Sequence, residues 1–200
     1  MDDRLRGFLD RLYQDGLRHD AAESDRLRRR RNLEPDAAAL LSVVVQAMGA
    51  VRVLEIGTSN GYSAVWLADA VRPGGGTVTS VDVDAQAQRA AVANLDEAGL
   101  SAWVDLVSAD GGRVLAELPA ESQDVVLLDA ERTEYTRWWP HPVRVLRRGG
   151  LLVIDNVLSH PDEVAPVLGL IRAEPRLSSA VVPTGKGQLY AVRTADVGDA

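Results

Sequence analysis

Residues 53–63 read VLEIGTSNGYS, and this stretch decides the fold of the chain. A short apolar run ends in a turn that contains Gly57 and Gly61, and a helical pattern begins directly after the second glycine. Glycines let the backbone approach a ligand closely, and the first N–H groups of the following helix are free to bind an anion. The turn lacks both the third glycine of G-x-G-x-x-G and the Gly-Lys-Ser/Thr of a P-loop. It therefore predicts a ligand site of another kind, or a plain tight turn.

Apolar runs and longer helical patterns alternate on both sides of this turn. The runs predict strands at 51–56, 77–81, 103–107, 125–128 and 151–154, and the segments between them predict helices at 62–71, 85–98, 113–118 and 134–146. Strands that are apolar throughout indicate a parallel sheet with helices on both faces. The sequence is therefore of the α/β class.

The two ends of the chain depart from this alternation. Helical patterns at 3–18 and 36–48 predict an N-terminal helical extension, residues 1–48, before an α/β core of residues 51–193. After a last helix near 162–173, strands at 177–182 and 188–193 enclose a Pro-Thr-Gly-Lys-Gly connection and predict a hairpin. We interpret residues 1–200 as a single domain.

The composition limits the classes of function. Of 200 residues, 46% are hydrophobic, which is enough to bury a sizeable core. The formal net charge of −7 disfavours a dedicated nucleic-acid binder, and the absence of cysteine excludes disulfides and thiolate chemistry. Lys186 is the only lysine among 22 basic residues, so arginine supplies nearly all of the positive charge. Without an export signal or a long apolar run, we expect a cytoplasmic protein that binds no membrane.

Acidic residues follow the predicted strands at their carboxyl ends, where open α/β sheets bind ligands. Asp82 follows the second strand, roughly 20 residues after the glycine turn, where an acid commonly binds ribose hydroxyls. Asp84 is better explained as the N-cap of the next helix. Asp110 follows the third strand, and either accepts a hydrogen bond from an adenine amino group or caps its own helix.

The fourth and fifth strands end in Asp129 and in Asp155-Asn156. If these strands are neighbours, two carboxylates and one amide oxygen converge. Close carboxylates repel each other unless a cation lies between them, and oxygen ligands suit Mg²⁺ or Ca²⁺ rather than zinc. The alternative is that each acid only caps the helix that follows it.

Residues 53–64 closely resemble the first motif of class I S-adenosylmethionine-dependent methyltransferases, and more narrowly the cation-dependent O-methyltransferases of the catechol and caffeoyl-CoA type. Residues 124–130 with Tyr135 resemble the fourth-strand motif of that group, and residues 149–157 resemble its fifth. The resemblance covers about residues 32–193. It implies a Rossmann-like, mostly parallel seven-stranded sheet with helices on both faces and an antiparallel hairpin at its end.

The resemblance also implies the ligands and the residues that bind them. S-adenosyl-L-methionine would be held by Asn32, Leu33, Glu55, Gly57, Gly61, Ser63, Asp82 and Asp110. Of these, Ser63 would meet the methionine carboxylate, Asp82 the ribose and Asp110 the adenine, while Asn32 and Leu33 resemble the segment that closes over the methionine end. A divalent cation, Mg²⁺ or Ca²⁺, would be bound by Asp129, Asp155 and Asn156. The acceptor would be the hydroxyl of a small catechol-like or phenolic molecule, and similar enzymes are often homodimers.

One position departs from the family pattern, because Arg132 stands where the family has a lysine that is usually taken as the general base. Arginine does not lose its proton in proteins. Either the role of this side chain is electrostatic, or another group removes the proton, or Arg132 is a solvated residue paired with Glu131 or Glu134. Lys186 is a candidate substrate contact or substitute base, or a plain loop lysine. The candidate catalytic residues are therefore Asp129, Arg132 and Lys186.

Two other functions fit parts of the pattern. A nicotinamide-dependent oxidoreductase is disfavoured by the missing third glycine. A homologue that binds the cofactor with weak or no catalysis would explain Arg132. The run Arg28–Arg31 is interpreted as a solvated face or a mobile lid segment. Trp138 and Trp139 are interpreted as packing or subunit-interface residues, with a substrate platform as the alternative.

Overall fold

The computed structural model describes residues 1–194. They form one sheet with helices on both of its faces. The strands are β1 (Arg52–Ile56), β2 (Thr77–Asp82), β3 (Val104–Ser108), β4 (Gln123–Leu128), β5 (Leu146–Ile154), β6 (Leu177–Val182) and β7 (Gln188–Arg193). The helices are α1 (Asp3–Ala22), α2 (Pro35–Ala47), α3 (Tyr62–Val71), α4 (Ala85–Ala98), α5 (Gly111–Glu117), α6 (His141–Val145) and α7 (Pro161–Ala173).

The strands form a seven-stranded sheet in the order β3-β2-β1-β4-β5-β7-β6. Strands β1 to β5 are parallel, and β7 runs antiparallel to both β5 and β6. The α/β class, the mostly parallel sheet and the C-terminal hairpin are therefore confirmed. Ile56 pairs with both Val81 and Leu128, and Leu128 pairs with Ile154. The residues that follow these strands consequently lie along one edge of the sheet.

Alternate residues of the central strands pack into two cores, one on each face of the sheet. Val53 and Val125 face the core that contains α1, α2 and α3, whereas Leu54 and Val126 face the core that contains α7. Burial of each such side chain stabilises the fold by about 1.5–3 kcal/mol. This two-sided burial is the reason that the strands are apolar throughout.

The N-terminal helices bury their apolar faces within the chain itself. Leu9 on α1 and Leu41 on α2 are each 1% exposed and belong to the same core as α3. These faces therefore need no second subunit to cover them, and a homodimer stays a prediction. Among the described residues, no helix is both long and apolar enough to cross a membrane.

The predicted helix at 134–146 is wrong over most of its length. A 3-10 turn covers Arg132–Glu134, α6 is confined to His141–Val145, and β5 begins at Leu146 instead of Leu151. Pro140 lacks the N–H that a helix needs and restricts the residue before it, so the helical pattern cannot run through this point.

Candidate functional site

The carboxyl ends of β1, β2 and β4 form one wall of a cavity of about 950 Å³, and the segment between α1 and α2 forms the opposite wall. This volume suits a cofactor together with a small acceptor. Most of the predicted site residues line it, namely Asn32, Leu33, Gly57, Ser63, Asp82, Asp110, Asp129, Arg132, Asn156 and Lys186. Glu55, Gly61 and Asp155 do not line it.

The glycine turn after β1 packs directly against the loop after β4. Gly57 has a φ of 112°, and a Cβ at this position would collide with the backbone carbonyl oxygen of Asp129. Gly61 has a φ of 82°, and a Cβ there would lie 3.1 Å from Ala91 on α4. Gly57 is therefore needed where the two loops meet at the cavity, whereas Gly61 is needed for the packing of α3.

Asp82 holds the glycine turn in position. Its two carboxylate oxygens accept hydrogen bonds from the backbone N–H groups of Ser59 and Asp84, each at 2.9 Å. A carboxylate has about four acceptor positions, so Asp82 retains capacity for hydroxyl groups in the cavity. Asp84 caps α4 as expected, by accepting from the N–H of Gln86 at 2.7 Å.

Asp110 caps its own helix and also lines the cavity. Its carboxylate accepts from the N–H of Arg113 at 2.8 Å and so caps α5, and the side chain also lines the cavity. Trp138 lies beside it, because Cβ atoms at Gly111 or Gly112 would meet this indole ring. Trp138 is therefore both a packing residue and part of the cavity wall.

Glu55 lies beneath the glycine turn. It is fully buried and accepts a hydrogen bond from the Ser80 hydroxyl, while its Oε1 has no hydrogen-bond partner. Burial raises the pKa of Glu55 to about 7, against the opposing effect of hydrogen bonds from Ser63 and Ser80. Glu55 thus supports the turn from below.

Asp129, Asp155 and Asn156 come together because β4 and β5 are neighbours. The Asn156 amide donates to Asp129 Oδ1 at 3.3 Å, and the buried Asp155 has an Oδ1 without any hydrogen-bond partner. Burial, with the charge of Glu55, raises the pKa of Asp129 to about 7. Burial, with the charge of Asp129, raises the pKa of Asp155 to about 8. Two carboxyl groups in one site thus oppose each other's ionisation.

This group is the candidate cation site, and its donors are two carboxyls and one amide. In residues 1–194 no set of three or more His, Cys, Asp or Glu side chains is arranged to hold a metal ion. The three oxygen donors nevertheless fit Mg²⁺ or Ca²⁺, which take carboxylate and amide oxygens together with water. The unpartnered Oδ1 of Asp155 is consistent with an oxygen reserved for a ligand.

Arg132 is buried, with a side chain only 5% exposed, and its partner is Glu163 on α7. Its Nε and Nη2 lie 2.9 and 2.8 Å from Glu163 Oε2. The suggested pairing with Glu131 or Glu134 is therefore wrong. Glu131 is instead bound by Arg26 and Arg31, at 2.9 and 3.0 Å.

These last contacts fix the arginine strap, which we define as residues 26–31, across the cavity. The carbonyl oxygen of Arg30 accepts from the Ser59 hydroxyl at 2.8 Å, and the Asp20 carboxylate accepts from the N–H groups of Arg30 and Arg31. The strap therefore joins the glycine turn on one side to Glu131 on the other. It is a covering segment, and not only a solvated face.

Lys186 is held by Glu34, a residue that the motifs did not single out. The Lys186 Nζ lies 2.7 Å from Glu34 Oε1, and the N–H of Gly185 donates to Asp36 at 3.1 Å. Burial lowers the pKa of Lys186, but the hydrogen bond and charge of Glu34 outweigh it, and the pKa is raised overall. Lys186 therefore stays positively charged at neutral pH.

A seven-stranded sheet of this order, with a glycine turn after β1 and an acid after β2, defines a Rossmann-like methyltransferase fold. The O-methyltransferase family model matches residues 10–189 of this chain. A protein of Mycolicibacterium smegmatis named "Putative O-methyltransferase" is 34% identical over 172 residues, which cover 80% of this chain and 81% of that protein. The chain thus belongs to the O-methyltransferase family, whose members are S-adenosylmethionine-dependent enzymes, and the predicted enzyme class is confirmed.

Solved structures agree with this assignment. The structure described as cofactor-bound Rv0187 from MTB has a TM-score of 0.77 and 27% identity, and covers 92% of this chain and 90% of that one. The O-methyltransferase from Bacillus cereus, in complex with SAH, has a TM-score of 0.77 at 24% identity, with 94% and 91% coverage. The second likeness concerns the fold alone.

The buried carboxyls predict how stability depends on pH in the presence of a chelator. Glu55, Asp129 and Asp155 have pKa values near 7 or 8 in the folded state, against about 4 when unfolded. Between these values the folded state keeps protons that the unfolded state has released, so the free energy of unfolding falls as pH rises. We expect the melting temperature in EDTA to decrease between about pH 5 and pH 8.

Asp155→Asn serves as the comparison, because it removes one of these titrations and, with it, the charge that opposes ionisation of Asp129. The variant should lose less stability than the wild type over the same interval. A wild-type melting temperature that falls no more steeply than that of the variant from pH 5 to pH 8 would contradict the assignment of raised pKa values.

Proposed function

We propose that this chain transfers the methyl group of S-adenosyl-L-methionine to a hydroxyl of a small catechol-like or phenolic acceptor, with a divalent cation bound beside it. The observation that carries the proposal is the single cavity. The glycine turn and Asp82 line its cofactor end, and Asp129 with Asn156 lie next to this turn, because Gly57 packs against the loop of Asp129. Family membership supports the transfer of a methyl group to oxygen.

The cofactor end offers a partner for each part of S-adenosyl-L-methionine. Asp82 has free acceptor positions for the ribose hydroxyls. Ser63 lies in the first turn of α3, where a hydroxyl and free N–H groups favour a carboxylate. Both polar atoms of the Asn32 side chain are buried without a hydrogen-bond partner, which suits a residue that meets the methionine end. Asp110 and Trp138 border the place left for adenine.

Asp129, Asp155 and Asn156 would hold the cation. A bound divalent cation supplies positive charge that favours the ionised form of a nearby hydroxyl. The pocket residues then fix the acceptor in line with the methyl group, so that the oxygen–carbon bond forms as the carbon–sulfur bond breaks.

The two charged candidates, Arg132 and Lys186, act in this scheme by charge. Arginine keeps its proton, and Glu34 holds Lys186 in its ammonium form. We therefore assign them stabilisation of negative charge near the acceptor and leave removal of the hydroxyl proton to solvent. A cytoplasmic location and a homodimer remain predictions.

The test is a methyl-transfer assay with S-adenosyl-L-methionine and a panel of catechols and phenols. Each acceptor is measured with Mg²⁺ and with EDTA, and a reaction without acceptor is the control. We expect a methylated catechol, formed at least about tenfold faster with Mg²⁺, because the cation favours the nucleophilic form. Bound S-adenosylhomocysteine without any transfer would support the cofactor-binding homologue instead. Thermal stabilisation by NAD but not by S-adenosylhomocysteine would support the oxidoreductase.

A further inference from the structure

We infer that the methyl acceptor is an anion, a catechol or phenol with a carboxylate near its ring, and that Arg132 binds this carboxylate at the cavity wall. The inference deepens the proposed function and rests on it. It assigns Arg132 to recognition of the acceptor, in a position where the family pattern has a base.

Arg132 is buried, lines the cavity and is held in place, as a residue that binds an anion would be. Its side chain is 95% buried yet lines the cavity, and Glu163 holds it through Nε and Nη2 from outside the cavity wall. A guanidinium has five N–H donors in a planar fork. Within residues 1–194, Nη1 has no hydrogen-bond partner, so donors remain for a ligand.

The position of Arg132 relative to the candidate cation site is fixed by Tyr135. The Tyr135 hydroxyl accepts from the N–H of Ala130 at 2.8 Å and lies 3.1 Å from the carbonyl oxygen of the same residue. Because this ring is only 1% exposed, it clamps the short segment between Asp129 and Arg132. Asp129 and Arg132 are therefore held in fixed positions on the wall of the same cavity.

Close to Arg132, guanidinium groups outnumber the carboxylates that pair with them. Among residues 1–194, Arg26, Arg31 and Arg132 share two carboxylates, those of Glu131 and Glu163. The other acid on this part of the wall, Glu134, is paired with the exposed Arg137 at 3.1 Å, and Lys186 is paired with Glu34. Burial lowers the pKa of His160 at the same rim, and the charges of Arg132, Arg26 and Lys186 lower it further, against Glu163.

A neutral acceptor would leave the spare donors of Arg132 without a ligand partner, whereas a carboxylate takes two parallel N–H groups of one guanidinium. Asp129 and Asp155 oppose an anion, but the cation of the proposed function offsets their charge. The arrangement therefore discriminates between acceptors with the same catechol ring by the charge of the substituent.

The experiment compares 3,4-dihydroxybenzoate with its methyl ester, which keeps the catechol and removes the charge. We expect the wild type, with Mg²⁺, to have a kcat/KM at least about tenfold higher for the acid, as a charge-assisted hydrogen bond requires. Arg132→Gln should lose most of this preference, and Arg132→Lys should retain part of it. Arg137→Gln removes an exposed arginine outside the cavity and should keep the preference. Added salt should reduce it.

Each result is decisive. A wild type that methylates both probes equally, or prefers the ester or unsubstituted catechol, overturns the inference and leaves the proposed function intact. The inference is also overturned if Arg132→Gln lowers kcat/KM equally for both probes while the affinity for S-adenosylhomocysteine is unchanged. Absence of transfer to any of the three acceptors, with S-adenosylhomocysteine bound, refutes the proposed function itself. If Arg132→Gln does not fold, the wild-type ratio and Arg132→Lys decide.

Discussion

Replacing Asp155 by alanine is expected to lower Mg²⁺-stimulated methyl transfer by about 10²- to 10⁴-fold, because the cation contributes several kcal/mol and each 1.36 kcal/mol is tenfold in rate. The substitution removes one of the three oxygen donors of the candidate cation site. This donor follows β5, two strands away from β1 and three from β2, which Asp82 ends. Affinity for S-adenosylhomocysteine should therefore stay nearly unchanged.

The loss should not result from unfolding. In the metal-free protein the Asp155 carboxyl is buried, its Oδ1 has no partner, and its pKa is raised to about 8, so it stabilises the fold little. Rates measured against Mg²⁺ concentration, with calorimetry for S-adenosylhomocysteine, separate the two effects. Asp105→Ala, which removes an exposed acid of β3, is the matched control. An Asp155→Ala enzyme that turns over at the wild-type rate in EDTA would remove the cation from the mechanism.

Gly57→Ala is expected to destabilise the protein by about 3 kcal/mol or more, since backbone strain and a steric clash act together. The φ of 112° is unfavourable for any residue with a Cβ, and this Cβ would collide with the carbonyl oxygen of Asp129. Relief of the clash has to separate the loops after β1 and β4. The same change would therefore also displace Asp129 and weaken methyl transfer.

Gly49→Ala isolates the strain from the clash. Gly49 has a φ of 59°, and a Cβ there would meet no atom within 4 Å. We expect a cost of only about 1–2 kcal/mol, the usual price of a left-handed conformation. Urea unfolding of both variants gives the comparison. Equal destabilisation would show that the contact between the two loops is not what requires a glycine at position 57.

Local patterns in the sequence predicted most of the fold. The bounds of α3, α4, β6 and β7 coincide with the predicted ranges, because caps or turns flank their apolar patterns. The convergence of Asp129 and Asp155 followed from the rule that parallel strands end at one edge of a sheet. The helix predicted at 134–146 does not form over most of this range, because Pro140 interrupts the helical pattern.

The partners of the charged side chains could not be predicted in the same way. Arg132 and Glu163 are 31 residues apart in the sequence. Gly185, next to Lys186, and Asp36 at the start of α2 are 149 residues apart. The first pair depends on how α7 packs against the turn after β4, and the second on where the loop between β6 and β7 meets α2, which no local pattern encodes. Glu34 gave one signal only, its position directly before a proline at a helix start.

Lys186 also offers a place to label the chain. Every other basic side chain except the histidines is an arginine, so amine-directed reagents have one side-chain target, which is 46% exposed. Its ion pair with Glu34 keeps the amine protonated at neutral pH, so labelling requires alkaline conditions. A fluorophore attached to that single amine would sit at the rim of the cavity without any engineered residue. Its emission would follow the entry and departure of small molecules directly.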